Sequence, residues 1–86
     1  MMRKKYIVRL TTEERSELQD MVKKGKVAAY KRLHAQILLK ADISEPGDGW
    51  DDARISESFD TSVRTVERTR QRLVEQGLDA AINRAK

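Results

Sequence analysis

The sequence predicts an all-α fold, a helix-turn-helix helical bundle of four to five helices. Three observations predict it. Apolar residues recur at helical spacing, most clearly at Leu33, Ile37, Leu38 and Ala41, which is the pattern of a helix with one buried stripe. Cap-type residues stand just ahead of such stretches at Thr11, Asp51 and Ser62, where a side-chain oxygen can accept from the unbonded amides of a first turn. Glycines follow two of the stretches at Gly25 and Gly77, where the chain can turn left-handed and stop. At 86 residues, a single domain spanning 1–86 is the expectation.

Each element has its own justification. Tyr6, Ile7, Val8, Arg9 and Leu10 are β-prone, but a lone strand has no partner, so they read as an extended lead-in packed on the domain. Thr11-Thr12-Glu13-Glu14 fits a capping box; with Leu18, Met21 and Val22 it predicts a first helix over about Thr12 to Lys24. A second helix runs from about Val27 to Ala41, with Ala29, Tyr30, Leu33, Ile37, Leu38 and Ala41 on its apolar face and His34 at the surface or its boundary. Asp42 to Gly49, containing Pro46, Gly47 and Gly49, is a loop. Asp51 caps a third helix ending near Phe59, with Trp50 placed as a hydrophobic staple on Ile55. Asp60-Thr61 turns the chain, Ser62 caps a fourth helix running to Gln76, and Leu78 to Ala85 form a last short helix on Leu78, Ala81 and Ile82.

Composition narrows the function classes. A chain this short buries only about 60% of its unfolded surface, which leaves little room for an enzyme cleft beside a core. There is no cysteine and one histidine, His34, so neither a disulfide nor a thiolate metal site is available, and no cofactor or metal is expected. The acidic run Asp48, Asp51 and Asp52 reads as caps and solvated loop. No apolar stretch approaches the roughly 20 residues of a membrane span, and the basic N-terminus lacks the apolar run of a signal peptide. The expectation is a cytoplasmic protein that does not enter a membrane and is not an enzyme.

Charge is segregated along the chain. The formal net charge is +4. Residues 23–41 carry Lys23, Lys24, Lys26, Lys31, Arg32 and Lys40 with no acid; residues 42–60 carry seven acids against Arg54 alone; residues 62–86 are basic again. Such an arrangement can present a basic face to a polyanion.

Two short helices joined by a tight turn, the second rich in arginine, form the helix-turn-helix pattern of DNA readers. It occupies about residues 50–76. Ile55 and Phe59 bury the first helix, and Val66 with Leu73 bury the second. Turning the second helix at 100° per residue about Val66 places Ser62, Val63, Thr69, Arg70 and Leu73 within about 60° of the inward direction. The same rotation leaves Arg64, Thr65, Glu67, Arg68, Gln71 and Arg72 more than about 90° away. Arg64 and Arg68 are first candidates for base readout, beside Thr65 and Gln71; Arg72 is a candidate for phosphate. Ser62, with the amides it leaves exposed, can also face a phosphate. Arg70 lies toward the core and can bridge to a neighbouring acid or reach the backbone at the rim. Lys26, Lys31 and Arg32 are candidates for a second phosphate contact. The competing account is that these arginines solubilise an exposed helix and pair with Glu67 and Glu75, while the lysines near residue 24 are the usual cations of a helix C-terminus.

Nearly the whole chain resembles a known family. Tyr6-Ile7-Val8-Arg9-Leu10-Thr11-Thr12-Glu13-Glu14-Arg15, then Gly25-Lys26, then Ala35-Gln36-Ile37-Leu38-Leu39-Lys40-Ala41-Asp42 resemble the N-terminal region of mariner-like bacterial insertion-sequence transposases, the insertion-sequence 630 family. Gly49-Trp50, Ile55-Ser56-Glu57-Ser58-Phe59, Ser62-Val63-Arg64-Thr65-Val66-Glu67-Arg68 and Glu75-Gln76-Gly77-Leu78 fit the same family's helix-turn-helix. The resemblance implies a homeodomain-like domain that recognises double-stranded DNA at the terminal inverted repeats of a mobile element, with Ser62 to Arg72 as recognition helix. The family's acidic catalytic triad lies in a separate domain, so no catalytic residue carries over. Asp60 stands where a turn glycine is usual, and Thr69 where an apolar residue is common. The alternatives are a small stand-alone transcriptional regulator, which dimerisation into a homodimer and binding to its own promoter would favour, and a protein-interaction module.

Overall fold

Five helices form, in chain order α1 (Thr12–Lys23), α2 (Ala29–Ala41), α3 (Asp52–Phe59), α4 (Val63–Gln76) and α5 (Leu78–Ile82). The computed structural model describes residues 6–24, 27–44 and 47–83, and no strand occurs among them. The expectations for Gly25, Lys26 and Pro46, and for the last helix beyond Asn83, lie outside the described residues.

Local chemistry sets the helix starts. Thr11 Oγ1 accepts from the Glu14 amide at 3.1 Å while Glu14 Oε1 accepts from the Thr11 amide at 3.0 Å, the reciprocal pairing of a capping box. At α3 and α4 one half of that pairing is present: the Asp51 and Ser62 side chains accept from Arg54 N and Thr65 N. Ala28, ahead of α2, offers no side-chain cap, and that helix starts two residues later than the pattern from Val27 predicts. Its first bonds run from Lys31 N and Arg32 N to the Ala28 carbonyl.

α2 packs against each of the other four helices, and this widens its buried arc. Leu33, Ile37, Leu38 and Ala41 face the core as expected, but Ala35 is also fully buried and Ala29 is exposed. His34 is a correction: it is buried rather than at the surface, with Nδ1 2.9 Å from the Ile82 carbonyl of α5 and its ring edge-on to Tyr30. The pattern of α2 alone could not anticipate this, because the element that covers His34 is 48 residues away.

The lead-in packs as predicted, with Val8 and Leu10 buried. It lies along the segment after α2: Ile43 N donates to Val8 O, and Leu10 N donates to the Asp42 carboxylate. Asp42 is fully buried and also accepts from Ser44 N, Ser44 Oγ and Arg15 Nη1. Burial pushes its pKa up, but the bonds from Ser44, Leu10 and Arg15 outweigh that and hold the carboxyl below its ordinary value. Gly47 fits here because a Cβ would overlap the Asp42 carbonyl.

Candidate nucleic-acid interface

The chain between α3 and α4 reverses in three residues. Asp60 adopts the left-handed conformation (φ 53°, ψ 48°) and its amide donates to Ser56 O, with Thr61 N bonded to the same carbonyl. Both bonds converge on one of the carbonyls that a helix end otherwise leaves open. Aspartate thus takes the conformation that the resemblance associates with glycine. Ser62 then caps α4, and its Oγ lies 3.0 Å from Thr65 Oγ1. Gly77 ends α4 with φ 99°.

The inner side of α4 is formed by Val66 and Thr69, with Leu73 half-buried against the core. Thr69 occupies a core position despite its hydroxyl because Oγ1 donates to Thr65 O at 2.8 Å, which satisfies the polar atom within the helix. Arg70 is only 4% exposed. Its guanidinium donates to the Asp52 carboxylate in the first turn of α3, to Trp50 O at 3.0 Å and to Tyr6 O at 3.4 Å. One side chain therefore ties α4 to α3, to the residue ahead of the α3 cap and to the lead-in. Asp52 is the neighbouring acid that the sequence left unspecified.

The outer side carries Arg64, Glu67, Arg68 and Gln71, all exposed, with Thr65 and Arg72 half-buried at its border. No acid pairs with Arg64, Arg68 or Arg72 among the described residues. Glu75 instead accepts from Gln71 Nε2 at 3.2 Å and from the Tyr6 hydroxyl at 3.1 Å. The structure thus places Arg64, Thr65, Arg68, Gln71 and Arg72 on α4 and Ser62 at its cap. Val63, placed near the inward side by the helical projection, is instead 40% exposed, since it opens the first turn and has no preceding turn of helix over it.

The second candidate contact is on other elements. Lys31 and Arg32 are half-buried in the first turns of α2. Arg32 Nη2 donates to Lys24 O at 2.8 Å, closing the end of α1, and its buried Nε has no partner among the described residues. Lys26 lies outside the described residues.

Asp48, Asp51 and Asp52 each have a local role. Asp48 pairs with Lys40 at 3.0 Å, Asp51 caps α3 and Asp52 meets Arg70. Trp50 packs on the core cluster that includes Ile55, and Lys40 Nζ and Arg54 Cζ each lie over its ring, 4.6 and 4.2 Å from the centroid. Arg54 follows Trp50 by one helical turn, so the sequence carried that signal; Lys40, on α2, gave none. Among the described residues no group of three or more His, Asp or Glu is gathered to hold a metal, and no helix is long and apolar enough to cross a membrane. Compared with known proteins, the chain matches no described family, no curated protein and no solved structure.

Proposed function

We propose that this chain binds double-stranded DNA, with α3 and α4 acting as a homeodomain-like helix-turn-helix and the outer side of α4 entering the major groove. One observation carries the reading: the fold uses some arginines and leaves others open. Arg15 and Arg70 are paired with buried or half-buried acids, Arg32 closes α1, and Arg54 stacks on Trp50. Arg64 and Arg68, one turn apart on α4, have no acid among the described residues. Exposed guanidiniums can hydrogen-bond guanine edges or phosphates. The amides at the Ser62-capped end of α4 can meet a phosphate. The residues that resemble insertion-sequence transposases further support a role as the DNA-binding part of a transposase-like protein, with terminal inverted repeats as the target class.

The test is a titration of labelled duplex DNA at several salt concentrations. Affinity should fall linearly on log–log axes as salt rises from about 50 to about 200 mM, because phosphate contacts release counterions. Absence of binding at low salt, or binding indifferent to salt, overturns the reading. A second reading, a protein-interaction module, has one observation in its favour: exposed Ile7 and Ile43 flank a hollow of about 260 Å³ that also touches Ala41, Gly49, Trp50 and Arg70. Loss of a protein partner from an Ile43→Ser variant with DNA affinity unchanged would favour it.

A further inference from the structure

Two side chains at the leading end of α4 fit neither the core nor a general attraction to phosphate. Val63, the first residue of the helix, is 40% exposed. Glu67, one turn later, is exposed and has no ion-pair partner among the described residues, although Arg64 and Arg68 are on the same helix at neighbouring positions. Residues four apart share a helix face, and helical side chains lean toward the N-terminus. Val63 and Glu67 therefore form one edge of the leading end of α4, beside Arg64.

For a surface that only grips phosphate, both are unfavourable choices. A carboxylate repels the phosphates that the arginines attract, and a half-exposed valine in the first turn gains little from water or from the core. Base edges suit both. Among the groups displayed in the major groove, thymine offers the C5-methyl and cytosine the N4 amino donor. An apolar side chain complements the first, and a carboxylate the second.

We propose that Val63 and Glu67 form the pyrimidine-reading edge of α4, with Val63 against a thymine methyl and Glu67 accepting from a cytosine amino group. This rests on the DNA-binding reading above. It gives the exposed arc two selectivities: guanine through the arginines, and thymine and cytosine through this edge.

The experiment uses the full chain and a preferred duplex selected from a randomised library. Each thymine is replaced in turn by deoxyuridine, which removes only the methyl group. At one position the wild-type chain should lose about fourfold in affinity, the worth of one buried methyl group, and Val63→Ala should lose nothing further there. Glu67→Gln should bind random DNA more tightly than the wild-type chain. At one cytosine position its preference should fall by about fivefold or more and move toward adenine, which a glutamine can pair. Both side chains are exposed, so unchanged thermal unfolding of the two variants serves as the control for folding. If the uracil series costs wild type and Val63→Ala equally at every position, or if Glu67→Gln keeps its cytosine preference, this assignment is wrong while DNA binding stands. If no duplex binds at all, both readings fall together.

Discussion

Asp42 and Arg68 both carry charge, yet the fold treats their surroundings in opposite ways. Asp42 is sealed between the lead-in and α2, and four donors from Leu10, Arg15 and Ser44 converge on its two oxygens. Arg68 stands in solvent on α4 with no acid beside it among the described residues. A buried charge is tolerable only when its hydrogen bonds are complete, so every group around Asp42 is committed to stability. An exposed charge costs nothing to leave open, so the outer side of α4 is available for a ligand. Within α4 itself the same contrast separates Arg70 from Arg68, two residues apart.

The largest expected effect tests the sealed region. Asp42→Asn keeps the shape but removes the charge facing Arg15 and turns an amide donor toward other donors. Urea unfolding should show a loss of about 3 kcal/mol, typical of breaking a buried pair, and a large share of the total for a domain this small. The pH dependence follows from the direction of the shift. The Asp42 carboxyl is held below its ordinary value of 3.8 in the folded chain, so the unfolded chain takes up a proton first as pH falls. The stabilisation is complete above the unfolded value and is lost as pH drops through the lower, folded value. The gap between wild type and Asp42→Asn should therefore hold steady near neutrality and narrow only below about pH 4. A gap that closes already near pH 6 would mean that a different group titrates.

The two arginines of α4 supply the next contrast. Arg70→Met should cost about 2 kcal/mol in unfolding, because it leaves the Trp50 and Tyr6 carbonyls and the Asp52 carboxylate short of a donor. Arg68→Ala should change stability by less than about 0.5 kcal/mol, as exposed substitutions do. On a preferred duplex, however, it should cost about 1–3 kcal/mol, and less on random DNA. Equal effects of the two variants on unfolding would erase the distinction between a committed and an open arginine.

This contrast also marks what could be read from the sequence. The caps at Thr11, Asp51 and Ser62 were legible because their bonds span only three residues. The outer arc of α4 was legible because a helical projection needs only the helix itself. Asp42 was read as the start of a loop, since its partners Leu10 and Arg15 lie 32 and 27 residues away. His34 was misplaced for the same reason. Val63 was misplaced by a different one: angular position ignores that the first turn of a helix has no preceding turn to cover it.

The smallest effect concerns the turn that sets α4 against α3. Asp60 is the one described non-glycine residue with positive φ, and no side-chain hydrogen bond of its carboxylate offsets that conformation among the described residues. The left-handed region costs an ordinary L-residue about 1–2 kcal/mol, and an acid at a helix C-terminus faces the negative end of the dipole. Asp60→Gly removes both costs but adds about 0.4–1 kcal/mol of chain entropy to the unfolded state. The net expectation is a gain of about 0.5 kcal/mol, seen as a rise of roughly 2–4 °C in the unfolding midpoint. Asp60→Asn separates the two contributions, since it keeps the conformational cost and removes only the charge. Because Asp60 lies two residues ahead of the Ser62 cap, both variants should also bind random DNA slightly more tightly at low salt, by a similar factor. If Asp60→Gly lowers the midpoint instead, the turn does not adopt the left-handed geometry, and the placement of Arg64 and Arg68 on the far side of α4 loses its anchor.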